Sequence, residues 1–304
     1  VQNLLNQPID KMWVGTFHSL SAKILRKNCE LVGLKPNFVI IDTDDQLKLL
    51  KNICERENIN TKEKSPKYFL SVIDRYKNKG IFPVSKNQNL NKKNEKNISL
   101  IYRLYQDELK RLNCVDFGDL ILFCIKIFKE NEKVLLYYQK LFKYILVDEY
   151  QDTNQPQFEL VKLLSGLHKR ISVVGDDDQS IYGWRGADIA NILQFEKEFP
   201  NCEVFKLEQN YRSTSTILSV AGAVVENNEY RADKKLWTEG RKGEKVGLME
   251  TFDELEETDG VLELIQQEIQ QKKRTFKDFV ILYRTNAQSR ALEEGLRRKG
   301  RERV

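Results

Sequence analysis

The chain has 304 residues, 40% of them hydrophobic and 31% charged, the make-up of a globular protein with room for about two domains. Its net charge of +5, from 50 basic against 45 acidic residues, permits a polyanionic partner without demanding one. No apolar run approaches the ~18 residues of a membrane span and no charged-then-apolar leader opens the sequence, so a cytoplasmic protein without membrane contact is expected. The 5 cysteines are widely spaced and form no CxxC pair, which argues against a zinc site or a disulfide framework.

Met12–Thr16 (MWVGT) reads as a short strand, and Phe17–Glu30 as an amphipathic helix with Lys23, Arg26 and Lys27 on its outer face. From Leu31 to Asn113 the texture turns to acidic and basic helices with few strand signals, the pattern of a helical insertion. Within it Lys77–Lys96, rich in Lys and Asn, reads as a solvated loop, a DNA-backbone contact being the other use for such charge. Asp116–Phe128 (DFGDLILFCIKIF) is a further amphipathic helix, with Asp116 placed to cap it. Tyr144–Val147 and Ile171–Val174 are apolar runs short enough for buried parallel strands, and helix Pro156–Ser165 between them predicts a βαβ crossover.

Glu203–Leu207 reads as a strand, followed by the NYRST turn and a helix around Ile217–Asn227. Tyr230–Gly247, basic and punctuated by glycines, reads as a surface connection before strand Phe279–Tyr283 and helix Ala287–Lys299. The pattern is α/β: the core of one domain, then a second that begins near Leu207 and is left unfinished. The chain starts at Val1 without Met and stops just after a helical pattern, so a piece of a longer protein is expected.

Two runs concentrate the chemistry. ILVDEYQDT (Ile145–Thr153) ends an apolar strand in adjacent carboxylates, where open α/β sheets place ligands. Asp148 suits a hard Mg²⁺ bridging phosphates, while Glu149 points elsewhere and suits orienting or deprotonating a water that attacks a terminal phosphate. A helix cap plus a solvated acid is the structural alternative. GDDDQSIYGWRGA (Gly175–Ala187) leaves the neighbouring strand, and its Gln179 can bond both a phosphate oxygen and an attacking water. Asp176, Asp177 and Asp178 would repel one another unless a cation, an Arg or a helix terminus lies nearby. Tyr182, Trp184 and Arg185 suit stacking on unpaired bases.

Asn210, Tyr211 and Arg212 open the later domain, where Arg212 could neutralise charge on a transferring phosphate and Tyr211 could stack on a nucleobase. Thr16, Phe17 and His18 are candidates for a backbone phosphate and a base, and Tyr283, Arg284 and Asn286 repeat that idea more weakly. No GxxxxGK[ST] occurs, so the residues present are expected to bind nucleotide poorly by themselves.

Taken in order, GTFHSL, VDFGDL, LVDEYQDTNQPQ, VVGDDDQSIYGWRGA, LEQNYRST, LWT and ILYRTNAQSRALEE resemble the UvrD/PcrA/Rep group of superfamily 1 DNA helicases over nearly the whole chain. The resemblance implies an ATP-driven, Mg²⁺-dependent motor moving 3′ to 5′ on single-stranded DNA, built from two RecA-like domains with helical insertions. Residues 1–30 and 114–206 would form the first RecA-like domain, 31–113 the insertion, and 207–304 an incomplete second RecA-like domain. It further implies Asp148 on Mg²⁺, Glu149 as catalytic base, Gln179 coupling the γ-phosphate to DNA, Tyr211 on adenine and Arg212 as an arginine finger. Phe17, His18, Tyr182, Trp184 and Arg185 would lie along the DNA. The partners implied are single-stranded DNA, duplex junctions and proteins of repair or replication. A helicase-like DNA-binding or scaffolding protein without ATPase activity is the competing expectation, and a motor fused to a nuclease is a third.

Overall fold

The computed structural model describes residues 12–83, 93–228, 231–272 and 274–301. Two compact units are present: one takes the chain up to Lys206 together with Asn227–Lys234, the other takes Leu207–Glu226 and the chain from Lys235 onward.

In the first unit, helix α1 (Phe17–Asn28) starts where the Thr16 hydroxyl accepts the Ser19 N–H at 3.2 Å, satisfying one orphan donor of the first turn. Met12–Thr16, expected as a strand, carries no ladder. Only Trp13 of the run is partly buried, packed edge-on against Tyr138 and Phe142, while Met12 and Val14 are exposed. The segment expected to be all-helical contains one strand, β1 (Val39–Ile40), which pairs in parallel with β2 (Cys114–Val115). Two residues are too few for any period to show.

Helices α2 (Thr43–Arg56), α3 (Pro66–Asn78) and α4 (Lys93–Arg111) lie between those strands. They bury an apolar cluster of their own, with Leu50, Ile53, Phe69, Ile73, Ile101 and Tyr105 at its centre. The solvated loop expected over Lys77–Lys96 is corrected at both ends: Lys77 is buried in the last turn of α3, and Lys93–Lys96 belong to α4. Residues 84–92 lie outside the described residues.

Helix α5 (Phe117–Glu130) opens on a reciprocal cap, the Asp116 carboxylate accepting the Asp119 N–H at 3.0 Å and the Asp119 carboxylate accepting the Asp116 N–H at 3.3 Å. It is apolar almost all round because it packs against α1, α6 (Glu132–Leu141) and α7 (Gln155–Ser165) at once. Strands β3 (Ile145–Val147) and β4 (Ile171–Val173) pair in parallel with Val147 opposite Val173, and α7 connects them. That is the crossover the sequence predicts.

The second unit holds α8 (Ser215–Val225), α9 (Glu254–Lys272) and α10 (Asn286–Arg301), with a parallel bridge between Gln209 and Trp237. The strands expected over Glu203–Leu207 and Phe279–Tyr283 carry no ladder among the described residues. Phe205 and Leu282 are 78% and 87% exposed, so these apolar runs lack the neighbour that makes an extended segment a strand. The described residues are thus mostly helical with two small parallel sheets. None of their helices is long and apolar enough to cross a membrane.

Candidate functional site

Beyond Val147 the chain turns sharply. Asp148 is exposed, and its Oδ1 accepts the Glu149 N–H at 3.0 Å. Glu149 adopts a left-handed backbone, φ 51° and ψ 44°. That conformation costs a non-glycine residue about 1 kcal/mol or more, so the surrounding structure must impose it. Gln151 does part of this: buried, it donates from Nε2 to Glu149 Oε2 at 2.7 Å and accepts the Asp176 N–H on Oε1 at 3.0 Å. A single amide therefore spans the carboxyl ends of β3 and β4.

Gly175 permits the approach, because a Cβ there would stand 2.5 Å from Gln151 Oε1 and 3.1 Å from the Tyr150 backbone nitrogen. Gly175→Ala is expected to destabilise by about 1–3 kcal/mol through this crowding. A fall in the urea midpoint checks it, and an unchanged midpoint would mean that the two loops can separate freely.

The carboxylate oxygens of Asp176, Asp177 and Asp178 lie within 4.8 Å of one another. Their repulsion is relieved from Asn227–Lys234. Lys234 hydrogen-bonds Asp176 and Asp177 and stands 3.3 Å from Asp178, while Arg231 and Asn228 reach Asp178 at 3.0 and 3.2 Å. Burial pushes the Asp176 carboxyl up, but the bonds from Lys234 and Gln179 hold it below its ordinary value. Asp178 is likewise held low by Asn228, Arg231 and Lys234 against the effect of burial. Burial lowers Lys234, and the carboxylates more than reverse that. Tyr230–Gly247 is therefore more than the surface connection expected, since two of its cations are internal counter-charges.

Gln179, exposed, donates to Asp176 Oδ2 at 2.8 Å, which orients its amide at the mouth of β4. The loop then presents Tyr182, Trp184 and Arg185. Trp184 is 67% exposed, and the Arg185 guanidinium lies 4.5 Å from its ring centroid and 5.4 Å from that of Tyr182. The rear of the loop is pinned to the acid turn, where the Thr153 carbonyl accepts the Asp188 N–H at 2.9 Å and Asn191 Nδ2 at 3.0 Å.

Thr16, Phe17 and His18 sit at the start of α1. The Thr16 hydroxyl caps the helix, Phe17 packs against two apolar clusters, and His18 meets Phe117 edge-on at 6.0 Å. Burial holds the His18 imidazole below its ordinary 6.5. In the second unit, Tyr211 is 85% exposed with its hydroxyl on Gln209, and the Asn210 carboxamide accepts the Arg212 and Ser213 N–H groups. Arg284 is exposed, its N–H bonded to Gln288, and Asn286 begins α10.

The structure thus gathers Asp148, Glu149 and Gln179 at the carboxyl ends of two adjacent strands, with the aromatic residues on the same loop as Gln179. Sequence reasoning noted Gln151 in the acid turn without its bridging role, and it missed Lys234. The donor set of the acid turn suits a hard divalent cation. Asp148, Glu149 and Asp152 form no ion pair among the described residues, Asp152 Oδ1 is buried without a partner, and burial and then the charge of Glu149 push the Asp152 carboxyl up. Asp176–Asp178, by contrast, already have protein cations.

Comparison with known proteins supplies a family for the chain. Residues 1–200 match the UvrD/REP helicase N-terminal domain, and residues 205–302 the UvrD-like helicase C-terminal domain. The chain is similar to the ATP-dependent DNA helicase PcrA of Staphylococcus aureus strain Mu50, at 45% identity over 294 residues, which is 97% of this chain and 40% of that protein. It is similar to the protein of the same name from Leuconostoc citreum, at 45% identity over 96% of this chain and 39% of that one. That of Staphylococcus epidermidis strain ATCC 35984 is 42% identical over 97% of this chain and 40% of its own length. The chain spans about 40% of the length of such relatives.

Proposed function

Because the chain belongs to the UvrD/REP helicase family, we propose that it supplies the hydrolytic turn and part of the DNA track of an ATP-dependent DNA helicase. The observation that carries the reading furthest is the Gln151 bridge, one buried amide tying the carboxylate turn to the loop that bears Gln179 and the exposed rings. Chemistry at one loop is then felt at the other.

In this reading the units are RecA-like, with residues 31–113 as a helical insertion and 207–304 belonging to a second domain. Glu149, exposed and oriented by Gln151, takes the proton of the water that attacks the terminal phosphate of ATP. Gln179 bonds that phosphate and alters its tie to Asp176 when the phosphate leaves. Asp148 would hold Mg²⁺, which neutralises charge on the phosphates when bound. Arg212 acts on the same transferring group, and Tyr211 stacks on the base.

Single-stranded DNA lies on Tyr182, Trp184 and Arg185, with Thr16, Phe17, His18, Arg284 and Asn286 as further contacts. Burial lowers the His18 imidazole and so favours its uncharged form, which suits ring contact and hydrogen bonding with DNA better than ionic pairing. Movement runs 3′ to 5′, toward duplex junctions, in cytoplasmic repair or replication.

Trp184→Ala tests the DNA side in the full-length protein. Loss of one stacking platform, worth roughly 1–3 kcal/mol, should raise the single-stranded DNA concentration for half-maximal ATPase stimulation about 5- to 100-fold. An equal fall in ATP affinity would overturn the assignment and make Trp184 a packing residue.

A further inference from the structure

The last turn of α3 does more than close a helix. Asn78 follows the buried Lys77, and its carboxamide is half-buried between the two loops of the site. Its Nδ2 donates to the Arg185 carbonyl at 3.2 Å, and its Oδ1 accepts Asn154 Nδ2 at 3.0 Å. Asn154 is the cap of α7, and its own Oδ1 accepts the Gln157 N–H at 3.1 Å. The ends of this chain of bonds fix every orientation in it. A backbone carbonyl only accepts and a backbone N–H only donates, so each of the two amides between them has one possible facing.

Gly186, at φ +92°, lies against this residue so closely that a Cβ there would stand 2.8 Å from Asn78 Cβ. The aromatic loop is thus held at two places. Thr153 holds its rear through Asp188 and Asn191, and Asn78 holds its front, directly beside Trp184 and Arg185.

We infer that Asn78 is a positioning residue through which the helix preceding residues 84–92 keeps the DNA-stacking loop in register with the acid turn. The inference rests on the proposed reading of that loop as the DNA platform. Asn78 touches neither nucleotide nor DNA in this scheme; it sets where Trp184 and Arg185 stand relative to the start of α7. Its removal should uncouple the two loops without dismantling either.

The test uses the full-length protein and oligothymidylate as the DNA. Asn78→Ala should leave ATP turnover without DNA within about 2-fold while the DNA-stimulated rate falls about 5-fold or more, the size of a typical coupling between sites. Asn78→Asp keeps the acceptor for Asn154 but sets a carboxylate oxygen against the Arg185 carbonyl, so it should lose stimulation as Ala does. It carries the test if Asn78→Ala does not fold. The decisive arm combines Asn78→Ala with Trp184→Ala. A residue acting through the loop adds little once the ring is gone, whereas independent effects multiply.

Retained stimulation in both Asn78 variants, or multiplicative losses in the double variant, overturns the inference. A wild-type protein whose ATPase ignores DNA overturns instead the reading of the site on which it rests.

Discussion

Replacing Glu149 with glutamine in the full-length protein is expected to lower the DNA-stimulated kcat for ATP by about 10²–10⁴-fold, the usual contribution of a positioned general base. That corresponds to about 2.7–5.5 kcal/mol of barrier. The substitution is chosen for what it preserves. A glutamine has the shape of the carboxylate and can keep an oxygen on Gln151 Nε2, where Glu149 now accepts at 2.7 Å. The left-handed backbone at this position is equally open to either side chain. What disappears is the capacity to take a proton. The KM for ATP should therefore move little, and affinity for single-stranded DNA should persist, since both depend on other residues. A variant that hydrolyses ATP at the wild-type rate would remove Glu149 from the chemistry and leave its strained geometry as a feature of the turn alone.

Local chemistry made parts of this arrangement legible in advance. The runs at Ile145–Val147 and Ile171–Val173 are short, apolar and separated by one capped helix, and they pair in parallel as such runs should. Asp116 announced its helix as a carboxylate ahead of an apolar run, whereas the return bond from the Asp116 N–H to Asp119, which makes the cap reciprocal, shows only in the structure. What stayed hidden was what depends on distant partners. The acidic triplet called for a cation, an Arg or a helix terminus nearby, yet Arg231 and Lys234 come from 53 and 58 residues away along the chain, and no window reveals which of the many cations will serve. Lysine-rich composition suggested solvent at Lys77, although two carboxylates and a tyrosine make its burial possible. The expected strands at Met12–Thr16, Glu203–Leu207 and Phe279–Tyr283 have the same origin. Apolar alternation records a face that can be buried, while pairing is settled by which segment lies alongside.

That buried lysine sets the second large expectation. Lys77 is 2% exposed and donates to Asp116 at 2.7 Å and Asp119 at 2.6 Å, where Tyr105 and Gln106 donate as well, each at 3.0 Å. Lys77→Met keeps the length of the side chain and strands two carboxylates in the interior, so a loss of about 3–5 kcal/mol is expected. The loss should depend on pH in a definite direction. Burial first, and then the charge of Asp116, push the Asp119 carboxyl above its ordinary 3.8, while Lys77 opposes both. Without Lys77 the carboxyl rises further. A carboxyl raised in the folded state binds its proton more firmly there than in the unfolded chain, so protonation favours folding and stability falls as pH climbs from the ordinary carboxylate range through the raised value. Hydrogen exchange in α3 and α5 should accordingly show the variant opening far more readily than wild type at about pH 8 and approaching it near pH 5. Adding Asp116→Asn and Asp119→Asn should recover much of the deficit, because amides can still accept the capping N–H groups and carry no charge. A deficit that ignores pH, or that the added amides leave untouched, would locate the role of Lys77 in packing against Gly118, where a Cβ would come within 2.8 Å of the lysine stem, rather than in charge.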